Sequence, residues 1–425
     1  MTADILANLP DANRTRGEGI VSICSAHPRV VEAALLEAAE GNWPVLIEAT
    51  CNQVNQDGGY TGMTPSDFRH FVEAIAGRTG FDTSRIIFGG DHLGPNPWKH
   101  LPAEDALRRA EVMVGAYVEA GFSKIHLDTS MGCAGEAAAL PDEVTAVRAA
   151  RLARAAEAAA ERCGAVPRYV IGTEVPTPGG ATETLSSLQP TPPEAVLQTV
   201  EVHRAAFAEA GMAAAFDRAV GLVVQPGVEF GSESVHVYDR AAARSLAASL
   251  KTLLQFVFEA HSTDYQPESA LAELVGDGFA ILKVGPGLTF ALREALYGLD
   301  AISAALHGVP EDEGLRTAME RLMLADPQNW RGHYHGDEAE MRRQRHYSYS
   351  DRIRYYWPHP EAQRAVERLI ARFGSQPIPK TLISQYLSWL YRDVRDGNCP
   401  AHPQALVTHS IRQVIGQYNR AVSHV

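Results

Sequence analysis

With 425 residues, 45% hydrophobic and 21% charged, the chain can bury a large core and has the composition of an ordinary globular protein. Its formal net charge of −13 excludes bulk recognition of nucleic acid, and an anionic ligand would need a local nest of Lys and Arg. The five cysteines (Cys24, Cys51, Cys133, Cys163, Cys399) are odd in number and lack paired spacing, so neither a disulfide framework nor a zinc ribbon follows.

In chain order, the N-terminal stretch MTADILANLPDANRTRGEG has no basic region followed by an apolar run, so no signal peptide is read. No apolar run reaches the ~18 residues of a membrane span, and a cytoplasmic protein is expected. Eight short β-branched runs then alternate with Ala-, Leu-, Glu- and Arg-rich segments of helical character. They are GIVSIC at 19–24, VLIEAT at 45–50, RIIFGG at 85–90, KIHLD at 124–128, YVIGTEV at 169–175, GLVVQ at 221–225, FVFEAH at 256–261 and AILKVG at 280–285. Strand–helix alternation predicts a parallel sheet covered by helices. Eight such units predict a (β/α)8 TIM barrel over residues 1–310, since that fold typically takes ~250 residues. The rival, a doubly wound open sheet, is weakened because no G-x-G-x-x-G follows the first strand. Residues 311–425 read as helices broken by Pro and Gly, with aromatic residues gathered between Trp330 and Trp357. No Ser/Gly linker precedes them, which predicts a helical extension packed on the barrel.

Barrel chemistry sits at the C-terminal ends of the strands. Those ends carry Glu48, the Asp91-His92 pair, Asp128, Glu174, Gln225 with Glu229 beyond it, His261 with Asp264, and Lys283. So many carboxylates around one axis would repel unless cations neutralise them. Two imidazoles among carboxylates suit a divalent metal, zinc first and manganese or a similar ion next. Other readings stay open: buried structural histidines, Asp128 and Lys283 ion-paired in the barrel mouth, or Glu174 in a structural salt bridge. In KVGPGLTF at 283–290, Gly285 and Gly287 end a strand and open a helix, where barrels hold phosphate through backbone amides; a plain tight turn is the alternative. TPGGAT at 177–182 is either a loop over the site or a turn. In RHYSYSDRIRYYW at 345–357, Arg345, Arg352 and Arg354 alternate with tyrosines, which suits a phosphate or sugar hydroxyls. A structural Asp351–Arg352 pair is the preferred reading there.

The stretches GGDHLGPNPW at 89–98, HLDTSMGC at 126–133, GTEVPTPGG at 172–180, FEAHSTDYQ at 258–266 and LKVGPGLTFALREALY at 282–297 resemble the Z-type subunit family of class II D-tagatose-1,6-bisphosphate aldolase. So do PQNWRGHYHG and YSYSDRIRYYWP in the C-terminal part. The resemblance implies a barrel related to the class II aldolases, which use zinc to stabilise an enediolate. It implies that Asp91 handles the substrate C4 hydroxyl proton, that His92 and His261 bind metal, and that Glu174 occupies a carboxylate position. At strand six the aldolases place a zinc-binding His, whereas this chain has VVQPGVEFGS, so Gln225 or Glu229 would take its place. That departure argues against fructose-bisphosphate cleavage but not against metal binding.

The candidate catalytic groups are therefore Asp91, Glu174 and Asp128, and the metal ligands His92, His261, Glu229 and Gln225. Substrate contacts are Glu48, Asp264, Lys283, Gly285, Gly287 and Arg352. The expected function is metal-assisted retro-aldol and aldol chemistry on a ketose or ketose phosphate, giving cleavage or C4 epimerisation, in an oligomeric protein. The alternative within the family is a non-catalytic partner that stabilises a separate catalytic aldolase subunit. A retained site is favoured, because burying Asp91, His92, Glu174 and His261 without a ligand would cost several kcal/mol per unpaired charge, roughly. A sugar kinase is disfavoured by the lack of a P-loop.

Overall fold

The eight β-branched runs are the eight strands of a closed parallel barrel, each hydrogen-bonded to its sequence neighbours and the last to the first. They are β1 (Ile20–Cys24), β2 (Val45–Thr50), β3 (Ile86–Leu93), β4 (Lys124–Leu127), β5 (Arg168–Ile171), β6 (Ala219–Val224), β7 (Val257–Ala260) and β8 (Ile281–Val284). The structure is a computed structural model, and it describes residues 2–172 and 188–422. Near-continuous apolar runs become strands because helices cover the outer face and side chains fill the inner one, so neither face meets water. The covering helices start and stop at strong local signals. Thr64 and Asp67 form a reciprocal capping box at Pro65–Thr79, and Gly164 takes the left-handed conformation that ends Asp142–Cys163.

Alternation along the strands sorts the barrel interior into layers. Ile20, Leu46, Ile87, Val257 and Ile281 form an apolar floor, closed from below by Leu6 and Leu9 of the N-terminal helix Thr2–Arg16. Two residues further along β2, β7 and β8 stand Glu48, Glu259 and Lys283, all buried. The apolar plug thus shields a charged layer from water on one side, and the layer is approached from the strand ends.

The chain after residue 310 is helical, as expected, and it packs on the barrel. Its last helix, Pro403–Val422, lies against Pro28–Gly41, Glu268–Gly276 and Pro286–His307. Tyr418 Oη donates to Thr263 O at 2.6 Å, and Gly19 N donates to Val422 O at 3.1 Å. Leu406, Ile411 and Ile415 belong to the same hydrophobic core as the barrel helices. Among the described residues no helix is long and apolar enough to cross a membrane.

Candidate active site

The charged layer is an ion network spanning the lumen. Lys124 Nζ lies 2.6 Å from Glu48 Oε1 and 2.7 Å from Glu259 Oε2. Lys283 Nζ contacts Glu48 and lies 2.7 Å from Asp91 Oδ1 and 3.6 Å from Glu259 Oε1. Pairing of opposite charges offsets the cost of burying them. Desolvation works against the Lys283 ammonium, but Asp91, Glu48 and Glu259 outweigh it and raise its pKa well above the usual lysine range.

One layer further out, three imidazoles surround Asp91. The rings of His92, His126 and His261 stand 4.8 to 5.3 Å apart, centre to centre. His92 adopts a φ of +50°, and Ser262, just after His261, a φ of +54°. Left-handed backbone at two non-glycine residues of one site is strain of the kind that functional sites retain. His92 Nδ1 is 2.8 Å from Asp128 Oδ2, and Asp128 Oδ1 accepts from Ser130 Oγ at 2.9 Å. His261 Nε2 is 2.9 Å from Glu259 Oε1, yet burial dominates and pushes the His261 imidazole down to about 3, leaving it neutral.

Four of these groups can act as metal donors together: Asp91, His126, Glu259 and His261 each offer one atom, and the four atoms lie within 4.8 Å of one another. Two observations fit a divalent cation there. First, the buried carboxylates Glu48, Asp91, Asp128 and Glu259 outnumber the two buried ammoniums Lys124 and Lys283 of the layer, and Asp128 pairs only with the His92 imidazole among the described residues. Second, His126 Nε2 is buried with no hydrogen-bond partner among the described residues, while its Nδ1 is 3.1 Å from the His92 N–H and 2.9 Å from Asp91 Oδ1. Two imidazoles and two carboxylates suit zinc or manganese.

Above this group opens a cavity of about 470 Å³, lined by Asp91, His92, His261 and Lys283 below and by Arg354 and Tyr355 of the C-terminal extension above. Among the residues singled out from sequence, Asp91, His261, Glu48, Lys283 and Asp128 are thus brought together, with His92 held by Asp128 beside the four-donor group. Gln225 is not: its Oε1 accepts from Gly227 N and Val228 N, both at 2.9 Å, and so shapes a turn. Glu229 lies in a short antiparallel ribbon, Glu229–Phe230 with Val235–His236, where burial pushes its carboxyl up to about 7. Asp264 Oδ1 accepts from Gly285 N at 2.9 Å and Gly287 N at 2.7 Å, so those two amides are engaged inside the protein. Arg352 donates to Asn329 O and stacks over Tyr355, 5.1 Å from its ring centre, while Asp351 pairs with Arg293 at 3.3 Å and not with Arg352. Glu174 and the TPGGAT segment lie outside the described residues.

Lys124, His126 and Glu259 were not singled out from sequence. The signal for them is a charged or imidazole side chain inside an otherwise apolar buried strand, in step with a strand-end candidate: Lys124 and His126 with Asp128, Glu259 with His261.

Known proteins share this chain's sequence and fold. The chain matches, over residues 6–423, the family described as D-tagatose-1,6-bisphosphate aldolase subunit GatZ/KbaZ-like. It is 55% identical over 423 residues to the D-tagatose 6-phosphate 4-epimerase of Agrobacterium fabrum (strain C58), with 99% of each chain covered. A crystal structure described as a probable tagatose 6 phosphate kinase from Sinorhizobium meliloti 1021 aligns with a TM-score of 0.88 at 58% identity, covering 95% of this chain and all (100%) of that one.

Proposed function

The chain belongs to the D-tagatose-1,6-bisphosphate aldolase subunit GatZ/KbaZ-like family of carbohydrate metabolism, and from that premise we propose that it is a metal-dependent 4-epimerase of a ketose phosphate. The observation that carries this reading is the buried four-donor group of Asp91, His126, Glu259 and His261 at the bottom of an open cavity. The reaction named for the 55%-identical relative supports the choice of C4 inversion over other outcomes.

A divalent cation held by those four residues would supply Lewis-acid polarisation of the ketose carbonyl. The rest of the chemistry belongs to the chain. Asp91 Oδ1 is committed to Lys283 and His126, whereas Oδ2 makes no hydrogen bond among the described residues and faces His92 Nε2 at 3.8 Å. Oδ2 is therefore the atom that takes the C4 hydroxyl proton as general base. His92 Nε2 stands ready to share that proton, because Asp128 fixes the ring through Nδ1. Loss of the proton lets the C3–C4 bond break: its electron pair passes to the C2–C3 fragment and C4 becomes an aldehyde. The cavity retains both fragments, the aldehyde turns its other face, and the bond re-forms with C4 inverted. Escape of the fragments instead would be aldol cleavage, so the roof of Arg354 and Tyr355 favours epimerisation by holding the aldehyde in place.

The test is incubation of the metal-loaded chain with D-tagatose 6-phosphate, following formation of its C4 epimer, D-fructose 6-phosphate, by NMR. Absence of inversion with zinc, manganese and other divalent ions alike overturns the reading. The family's description as an aldolase subunit supports a second one, a partner of a catalytic aldolase. It predicts no turnover alone and a stabilising effect on that subunit.

A further inference from the structure

Two groups of metal-type donors meet at Asp91. One is the four-donor group described above, on β3, β4 and β7. The other draws on β1 and β2 instead: Cys24, Glu48 and Asp91 each offer one atom, and the three atoms lie within 4.8 Å of one another. Strand order brings them together. β8, β1, β2 and β3 are consecutive around the barrel, with Cys24 in register with Glu48 and Thr50 in register with Asp91. A thiol and two carboxylates are donors that zinc accepts. Two donor groups that share one carboxylate have the layout of a two-metal site.

Here the second position already holds a cation. Lys283 Nζ contacts Glu48 Oε2 and lies 2.7 Å from Asp91 Oδ1, so it touches two of the three donor residues. The third is adjacent, with Cys24 Sγ 4.0 Å from the same Glu48 oxygen. Burial pushes the Cys24 thiol up and the Lys283 ammonium pulls against that rise, so the two groups lie in each other's field. Lys124 serves a different place. It pairs with Glu48 Oε1 and Glu259 Oε2, and it does not line the cavity. Cys24, Asp91 and Lys283 do line it, so the second position is reached from the barrel mouth and burial alone does not keep a metal ion out. The ammonium does. A divalent ion brought to the same donors would sit against a positive charge in a weakly screening interior. The tethered charge also holds Asp91 Oδ1 in place, which leaves Oδ2, the atom assigned as base, turned toward His92.

We propose that Lys283 is a built-in second cation. Its ammonium fills the position formed by Cys24, Glu48 and Asp91, restricts the chain to one divalent ion in the four-donor group, and acts as a positioning residue for Asp91. The proposal takes the four-donor reading for the neighbouring position and needs no assumption about the substrate.

The experiment counts zinc in the full chain, saturated with zinc and then dialysed, by mass spectrometry of the metal. The proteins compared are the parent, K283A, K283A/C24A and K283A/H126A. Zinc should rise from about one ion per chain in the parent to about two in K283A. K283A/C24A should lose the added ion. K283A/H126A should keep that ion and lose the one in the four-donor group. K283R retains the positive charge and should match the parent. K283Q removes the charge with less loss of packing, so the count can be made on it if K283A does not fold. No gain of zinc in K283A or K283Q overturns the proposal, and so does a gain that C24A leaves in place. A parent chain that already holds an ion on Cys24 overturns it as well. A parent without zinc whose K283A variant gains one Cys24-dependent ion leaves this inference standing and removes the four-donor site instead.

Discussion

Gly89 faces Glu48 across the β2–β3 pair with no room for a side chain: a Cβ at Gly89 would lie 2.6 Å from Glu48 Oε1. The missing side chain leaves the glutamate free to cross the lumen to Lys124 and Lys283. Gly89→Ala should push Glu48 off both ammoniums. The expected loss is ~1–3 kcal/mol from overpacking alone, with more if the network stays broken, because the buried Glu48 carboxylate then loses both of its ion-pair partners. Denaturant titration of the two proteins measures it. A G89A protein as stable as the parent would mean that Glu48 has another place to go.

The donor group makes its own claim on metal content. His126→Ala and His261→Ala should each lower bound zinc or manganese in the purified, dialysed chain, measured by mass spectrometry of the metal. His92→Ala should retain more of it, since the His92 ring is engaged with Asp128 and stands outside the four-donor group. Equal metal in the parent and in H126A would remove His126 from the site, and the orphaned Nε2 would need another explanation.

Asp91 separates the enzyme from the partner subunit. In Asp91→Asn the general base and one of the four candidate metal donors are both lost while the shape is kept, so C4 inversion should fall by at least the roughly 10²–10⁴-fold of a lost base. Should the chain serve only to stabilise a catalytic aldolase subunit, D91N would support that subunit as well as the parent does and there would be no turnover to lose.

The strands were readable because barrel strands are apolar on both faces, and eight such runs separated by helical segments leave few folds open. What went unread follows from taking only the strand ends as informative. Lys124, His126 and Glu259 sit within β4 and β7, and their inward direction is a matter of parity: each is two or four residues from a strand-end candidate on the same face. A charge in mid-strand of a buried sheet has nowhere to point but the lumen, so the signal was present. The N-terminal helix was harder, because its contribution to the floor rests on little more than Leu6 and Leu9. Arg352 and Arg354 are two residues apart in a 3-10 turn, and which of them faces the cavity depends on backbone direction that composition does not carry.

Burial at Asp351 gives a pH dependence away from the metal group. It pushes the carboxyl up to about 6, against the pull of Arg293, whereas an unfolded chain has Asp near ~3.9. Between those values the folded protein binds more protons than the unfolded one, so this residue lowers stability as pH rises from about 4 to about 6 and has no further effect above that. Asp351→Asn cannot titrate. The stability of the parent minus that of D351N should therefore fall across this window, on the order of 1.4 kcal/mol for each pH unit between the unfolded and folded pKa values. Denaturant midpoints for both proteins at several pH values test it, and a difference independent of pH would show that Asp351 keeps an ordinary pKa.

The route of C4 inversion is open to an isotope test. The donor group and Asp91 are arranged around oxygen atoms: the base takes a hydroxyl proton, and the electron pair released is that of the C3–C4 bond. The hydrogen on C4 travels with the aldehyde carbon and never meets Asp91. Inversion in heavy water should therefore give product without deuterium at C4, and substrate deuterated at C4 should keep its label. Direct proton abstraction would instead wash solvent deuterium into C4 at the rate of inversion. Oxidation and re-reduction would need a hydride acceptor, and no G-x-G-x-x-G follows β1 to hold a dinucleotide. A primary isotope effect from C4 deuterium on the rate would break the C–C cleavage mechanism, since that mechanism leaves the C4–H bond intact in every step. A trace of free aldehyde fragment, trapped during turnover by an added reductase, would be its direct signature. The amount trapped should rise in R354Q, because a weakened roof lets the fragment escape before the bond re-forms.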